Sequence, residues 1–126
     1  MAIEKVQYLE CADAHVNPDR IITTIFSGDI PDFSPTQIRV IKFSRAAKLG
    51  NHWREYPELY GIIGQAEFTL EDVDAKERKV YSLKTGDRLL VPPRVALNIQ
   101  SNQDTIITTC SQSADREKQT HKYEVN

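Results

Sequence analysis

Apolar residues in this chain come in short, largely β-branched runs, each closed by turn-forming residues. Residues 21–26 form such a run, ending at Ser27-Gly28-Asp29, and 37–43, 58–63 and 65–73 follow. Within the last, Ala66, Phe68 and Leu70 alternate with Glu67, Thr69 and Glu71. That period of two sends one face into a core and the other into water. Residues 79–83 are the next predicted strand, with Lys84-Thr85-Gly86-Asp87 behind it as a tight turn. Residues 88–91 run into Pro92-Pro93, whose missing N–H groups mark a strand end or an edge. Segments 95–100 and 105–111, separated by the polar turn 101–104, complete the series. No stretch carries a convincing helical period, so the pattern predicts an all-β sandwich or barrel with Phe68, Leu70, Leu90 and Ile99 in its core.

Organisation follows from what the pattern leaves out. Residues 1–36 read as N-terminal strands plus an irregular loop that holds two prolines in 27–35. Residues 37–111 read as the barrel core, and 112–126 as a polar surface extension with at most a helical turn or two. At 126 residues the chain is expected to be one domain. A small barrel with open sheet edges invites edge pairing, and a long N-terminal segment is one way to cover an edge. The expectation is a homodimer in which residues before Pro35 contact or exchange with the partner's sheet.

Charge narrows the partners. Sixteen basic against eighteen acidic side chains leave a net charge of -2 without any basic block, which speaks against nucleic acid. There is no secretory pattern at residues 1–10 and no run of membrane-spanning length. Cys11 and Cys110 lie far apart with no metal-like spacing, so a reduced, cytoplasmic protein is expected. A Cys11–Cys110 disulfide is the alternative, which a reducing compartment disfavours.

Candidate chemistry concentrates in 50–64. On a strand, His52 and Arg54 share one side, as do Glu58 and Tyr60. Trp53 then faces away from His52 and Arg54, toward another sheet or subunit. The run 72–79 carries both charge signs in alternation and reads as a solvated hairpin connection. His15, near Asp13 and Asp19, has a metal-like composition without a defined geometry, and His121 has no ligand partner nearby in sequence.

The stretch from Gly50 to Gly64, together with Gly86-Asp87-Arg88-Leu89-Leu90-Val91-Pro92-Pro93-Arg94-Val95-Ala96-Leu97, resembles the two motifs of the cupin superfamily, G-x5-H-x-H-x3,4-E-x6-G and G-x5-P-x-G-x2-H-x3-N. Gly50-Asn51-His52-Trp53-Arg54 and Leu70-Glu71-Asp72-Val73-Asp74 are most similar to small bacterial cupins of polysaccharide and nucleotide-sugar biosynthesis. The resemblance spans 37–111 and implies a double-stranded β-helix, or jelly-roll, barrel.

Metal-binding cupins draw three histidines and a glutamate from these motifs. Here His52 keeps the first histidine and Glu58 falls at an allowed spacing for the glutamate, but Arg54 and Leu97 stand at the other two positions. Five residues separate Glu58 from Gly64 where the pattern has six, and Arg94 replaces a glycine. A guanidinium is a permanent cation and Leu97 has no donor atom, so the expectation is no metal and no other cofactor.

Three readings stay open, the third being a metal-dependent oxygenase or isomerase that uses an unconventional ligand set. In the first, a metal-independent isomerase or epimerase of a carbohydrate derivative uses His52 as general base and Tyr60 as acid or hydrogen-bond donor. Arg54 then holds an anionic group and Glu58 orients the site. In the second, a non-catalytic module recognises an anionic small molecule. The plain structural alternative to all three is an Arg54–Glu58 pair that fills the metal's place, with His52 a hydrogen-bonded core residue.

Overall fold

The computed structural model describes residues 2–10, 14–113 and 115–125. After a 3-10 turn (Ala2–Lys5), the described residues form twelve strands. These are β1 (Gln7–Glu10), β2 (His15–Val16), β3 (Ile21–Ile22), β4 (Gln37–Lys42), β5 (Ala47–Arg54) and β6 (Glu58–Ile63). They continue as β7 (Gln65–Asp72), β8 (Arg78–Lys84), β9 (Asp87–Val91), β10 (Val95–Ser101), β11 (Ile106–Ser111) and β12 (Thr120–Lys122). Two five-stranded antiparallel sheets, ordered β1-β9-β6-β11-β4 and β12-β5-β10-β7-β8, pack face to face, with β2-β3 a separate hairpin. The all-β jelly-roll expectation holds. Among the described residues, no helix is long and apolar enough to cross a membrane.

The alternation read in β7 is the alternation observed. Phe68 and Leu70 are fully buried against Ile62, Leu89, Ile99 and Ile107, while Glu67 faces water. Each such side chain contributes about 1.5–3 kcal/mol by leaving water. Leu90 is buried as expected, but on the outer side of its sheet, in a second cluster with Ile30, Phe33, Leu59 and Cys110.

That second cluster explains where the sequence reading overran. Only Ile21–Ile22 of the run 21–26 is strand; Ile25 and Phe26 instead pack on the outer cluster. Gly61 makes the slot: a Cβ there would lie 2.0 Å from Ile25 Cδ1. Arg88 pins the same loop, donating from Nη1 to the Ile25 carbonyl and from Nη2 to Asp29, both at 2.9 Å. The run 72–79 also departs from a wholly solvated connection. Asp72 is buried and its carboxylate accepts from the backbone N–H groups of Ile3, Asp74 and Ala75, which caps the turn.

Strand β5 carries a bulge. Its register with β10 steps from Leu97↔His52 to Asn98↔Gly50, so Asn51 is the extra residue. Asn51 sits at φ 57, a conformation asparagine tolerates better than most side chains. Gly50 has no alternative there, since a Cβ would stand 2.6 Å from the Leu97 carbonyl oxygen. The bulge absorbs the odd residue, so that Leu49, His52 and Arg54 all border one cavity.

The C-terminal segment is not a surface extension. Residues 116–119 form a turn, and β12 then pairs with the free edge of β5 in the register Thr120↔Arg54, His121↔Trp53 and Lys122↔His52. Beyond it Tyr123 N donates to the Asn51 carbonyl and Val125 N to Asn51 Oδ1, and Val125 is buried. The physical cause is β5 itself, whose outer edge would otherwise leave a row of backbone groups unpaired.

Candidate functional site

Between the sheets, at the end where β5, β6 and β12 meet, three charged or phenolic side chains converge on one carboxylate. Glu58 opens β6 and is 2% exposed. Its Oε1 accepts from Arg54 Nε at 2.9 Å and from the Tyr60 hydroxyl at 2.6 Å. Its Oε2 accepts from Arg116 Nη2 at 2.9 Å. Arg54 Nη1 donates to Thr120 Oγ1 at 2.6 Å, and that hydroxyl donates to the Arg116 carbonyl at 2.6 Å. Arg116 Nε reaches Gln37 at 2.8 Å, tying the tail turn to the start of β4. Both guanidiniums lie over the Tyr56 ring, 5.8 and 5.9 Å from its centroid.

The Arg54–Glu58 pair foreseen from spacing is therefore present, as one arm of a larger cluster. Burial, and then the Glu58 carboxylate, push the Tyr60 hydroxyl well above its ordinary pKa. It stays a proton donor to Glu58 throughout the physiological range.

His52 is hydrogen-bonded on one side of its ring only, to the Gly50 backbone. Its Nε2 is buried and has no partner among the described residues. Burial first, then the charge of Arg54, lowers its pKa from 6.5 to about 4, so the ring is neutral at pH 7. Beside it lies a cavity of about 70 Å³, walled by Arg54, Glu58, Tyr60, Leu97, Thr109 and Arg116. That is room for about two waters. Thr109 Oγ1 and the Tyr56 hydroxyl are likewise buried without a partner among the described residues.

The residues do not fit a cupin metal. His52 and Glu58 are neighbours, but Leu97 stands directly across from His52 in the β5–β10 register, and Arg54 fills the other ligand position. Both oxygens of Glu58 already serve cations. Among the described residues, no group of three His, Cys, Asp or Glu side chains could hold an ion.

The remaining sequence candidates resolve elsewhere. Trp53 is half-buried, and its neighbours belong to this chain. The His121 ring stacks on it at 4.3 Å and the Arg94 guanidinium lies 4.8 Å from its centroid. His121 also pairs with Glu55. His15 is exposed and bonds Asn17; Asp13 and Cys11, and with them the Cys11–Cys110 disulfide, lie outside the described residues. Arg116, Thr120, Tyr56 and Thr109 were not foreseen. One signal for β12 was available: His121, Tyr123 and Val125 alternate with Thr120, Lys122 and Glu124, a strand period inside a segment read only as polar.

No protein-family model matches the chain, and no curated protein is similar to it in sequence. Solved structures are similar in shape. The sugar 3,4-ketoisomerase QdtA from Thermoanaerobacterium thermosaccharolyticum, in complex with TDP, superposes with a TM-score of 0.74 at 16% identity, covering 91% of this chain and 85% of that one. The dTDP-4-dehydrorhamnose 3,5-epimerase of Bacillus anthracis, with TDP and pyrophosphate bound, gives 0.79 at 16% identity, over 97% and 80% of the two chains. The 3'-monoepimerase ChmJ from Streptomyces bikiniensis, in complex with dTDP-quinovose, gives 0.77 at 15%, over 93% and 68%. What these likenesses show is the architecture: this chain is a cupin-type jelly roll.

Proposed function

We propose that this chain is a metal-independent isomerase of a carbohydrate derivative, acting in the cytoplasm with His52 as its base. The observation that carries the reading is the half-buried, neutral His52 imidazole, whose buried Nε2 is free of any partner among the described residues and has a polar cavity beside it. A neutral imidazole is the proton-accepting form. In a hydroxyketone, Nε2 takes the proton from the hydroxyl-bearing carbon. The C–H electron pair becomes the C=C bond of an enediolate, and the carbonyl oxygen takes up the negative charge beside Arg54. The hydroxyl proton moves to that oxygen, and Nε2 returns its proton to the former carbonyl carbon. Atoms and electrons balance with no oxidant. Glu58 supports the imidazolium that forms transiently and holds Arg54 and Tyr60 in place.

One base on one face favours isomerisation over epimerisation. Epimerisation needs a second group to return the proton from the opposite face, and the Tyr60 hydroxyl is committed to Glu58. The shared fold with sugar ketoisomerases and epimerases supports the substrate class. The test is proton exchange by NMR in deuterated water, with nucleotide-linked 4-keto sugars as first probes. Wild-type protein should wash deuterium into the carbon next to the carbonyl, and His52→Ala should abolish this. Binding without exchange, in wild type and variant alike, refutes the enzyme.

A second reading, the anion-binding module, is favoured by the small size of the cavity and by the guanidiniums already seated on Glu58. It expects that second outcome.

A further inference from the structure

Strand β11 borders both hydrophobic clusters. Ile107 lies between the sheets and Cys110 in the outer cluster, so Thr109, two places on from Ile107, faces inward. The register sets it in one row between Arg39 of β4 and Tyr60 of β6. All three border the cavity of about 70 Å³, as do His52 and Arg54 of the other sheet. Thr109 is 3% exposed. Of the buried polar side-chain atoms without a partner among the described residues, Thr109 Oγ1 and His52 Nε2 border this cavity. A buried hydroxyl left unpaired costs stability, and a valine of nearly the same shape would avoid that cost.

Space for about two waters is also space for two oxygens, the number a hydroxyketone carries on adjacent carbons. Isomerisation needs one proton to pass between those oxygens. A direct hop would close a five-membered ring and bend the O–H···O angle to about 120° or less, where a hydrogen bond is weak. A relay must accept from one oxygen while it donates to the other. The guanidiniums of Arg39, Arg54 and Arg116 only donate, and both oxygens of Glu58 are taken. Tyr60 gives its proton to Glu58. A threonine hydroxyl both donates and accepts, and that of Thr109 has neither role filled among the described residues.

We propose that Thr109 is a catalytic residue, a hydroxyl relay that carries the proton between the two substrate oxygens. The assignment deepens the isomerase reading and rests on it. As the proton of the substrate hydroxyl bonds to Oγ1, the O–H bond of Thr109 breaks and its proton bonds to the enediolate oxygen. The substrate loses one O–H bond and gains another, and Thr109 ends as it began. The negative charge moves to the oxygen that becomes the new carbonyl. His52 then protonates the former carbonyl carbon.

The relay divides the reaction into two parts that NMR in deuterated water reads separately. Full-length protein is used, with a nucleotide-linked 4-keto sugar as the probe. Deuterium entering the carbon next to the carbonyl needs only His52, since the enediolate can collapse back to the starting sugar. Isomer formation needs the relay as well. Thr109→Val should keep exchange within about twofold of wild type and slow isomer formation about a hundredfold, the typical contribution of a positioned proton-transfer group. Thr109→Ser keeps a hydroxyl and should restore isomer formation to within about tenfold of wild type. Thermal melting checks the fold. Thr109→Cys, whose thiol is a weak donor and acceptor, should show the same division if valine upsets it. Exchange and isomer formation falling together in a folded variant, or neither changing, would overturn the relay and leave the isomerase standing. No exchange in the wild type removes the isomerase itself, and the relay with it.

Discussion

Replacing Glu58 by Gln keeps the shape of the side chain and removes the one negative charge between two guanidiniums. The carboxylate accepts three charge-assisted or phenolic hydrogen bonds at 2.6–2.9 Å and is 2% exposed. An amide has one acceptor oxygen, so an N–H group must face either Arg54 or Arg116, donor against donor. Breaking a buried ion pair from one side costs about 3–5 kcal/mol, because the surviving charge stays buried. Arg54 and Arg116 keep 14% and 18% of their side chains in solvent, which places the expected loss at the lower end. The expected loss is about 3 kcal/mol, or about 10 °C in Tm for a chain of this size. Urea unfolding followed by circular dichroism measures it, with an unchanged slope as the check that only stability moved. Adding Arg116→Met to the variant should recover part of the loss, since the unpaired cation leaves with it. A loss below about 0.5 kcal/mol, the range of ordinary surface changes, would refute the view that Glu58 organises the cluster.

Acid should weaken the fold through His52. Its folded pKa of about 4 lies below the ordinary 6.5, so the unfolded chain binds the extra proton first. That stability is present above pH 6.5 and is lost as pH falls toward 4, by up to about 3 kcal/mol. His52→Gln should flatten the slope, and an equal slope in both proteins would count against the burial of the ring. Arg54→His combined with Leu97→His should bring three imidazoles beside Glu58 and raise zinc or nickel affinity by orders of magnitude over wild type, measured by calorimetry. Unchanged affinity would mean that Leu97 does not face His52. The homodimer expected from open edges should appear in light scattering at tens of micromolar as twice the chain mass. Ile38 and Val40 are two-thirds exposed on the edge strand β4, so Val40→Lys should reduce it to a monomer. A wild-type monomer ends that reading.

Legibility in the sequence followed the source of each contact. The strands of 58–111 were readable because alternation is a local consequence of burying one face, and the structure returns Phe68, Leu70 and Ile99 to the core. His52, Arg54, Glu58 and Tyr60 were readable as a group because they sit on two consecutive strands joined by a short turn, one in each sheet. Arg116 was not readable. It reaches Glu58 across 58 residues, and nothing local distinguishes it from any other arginine of a polar tail. Ile25 was missed for a related reason. Its β-branched neighbours signal strand, but the vacant side-chain position at Gly61, far along the chain, decides where it packs. The bulge at Asn51 depends on the register with β10 and left no local mark beyond a Gly-Asn pair.

The loop held by Gly61 and Arg88 gives the molecule two separate hydrophobic clusters. Cys110 belongs to the outer one, beneath Ile30 and Phe33, and not to the space between the sheets. Burial keeps its thiol 2% exposed and pushes its pKa up. Thiol reagents should therefore reach Cys110 when the loop lifts, before the barrel unfolds. The labelling rate of this one side chain is a clock for the opening of the N-terminal cover, separate from global unfolding. If a second copy of the chain presses on that cover, the clock should slow as protein concentration rises.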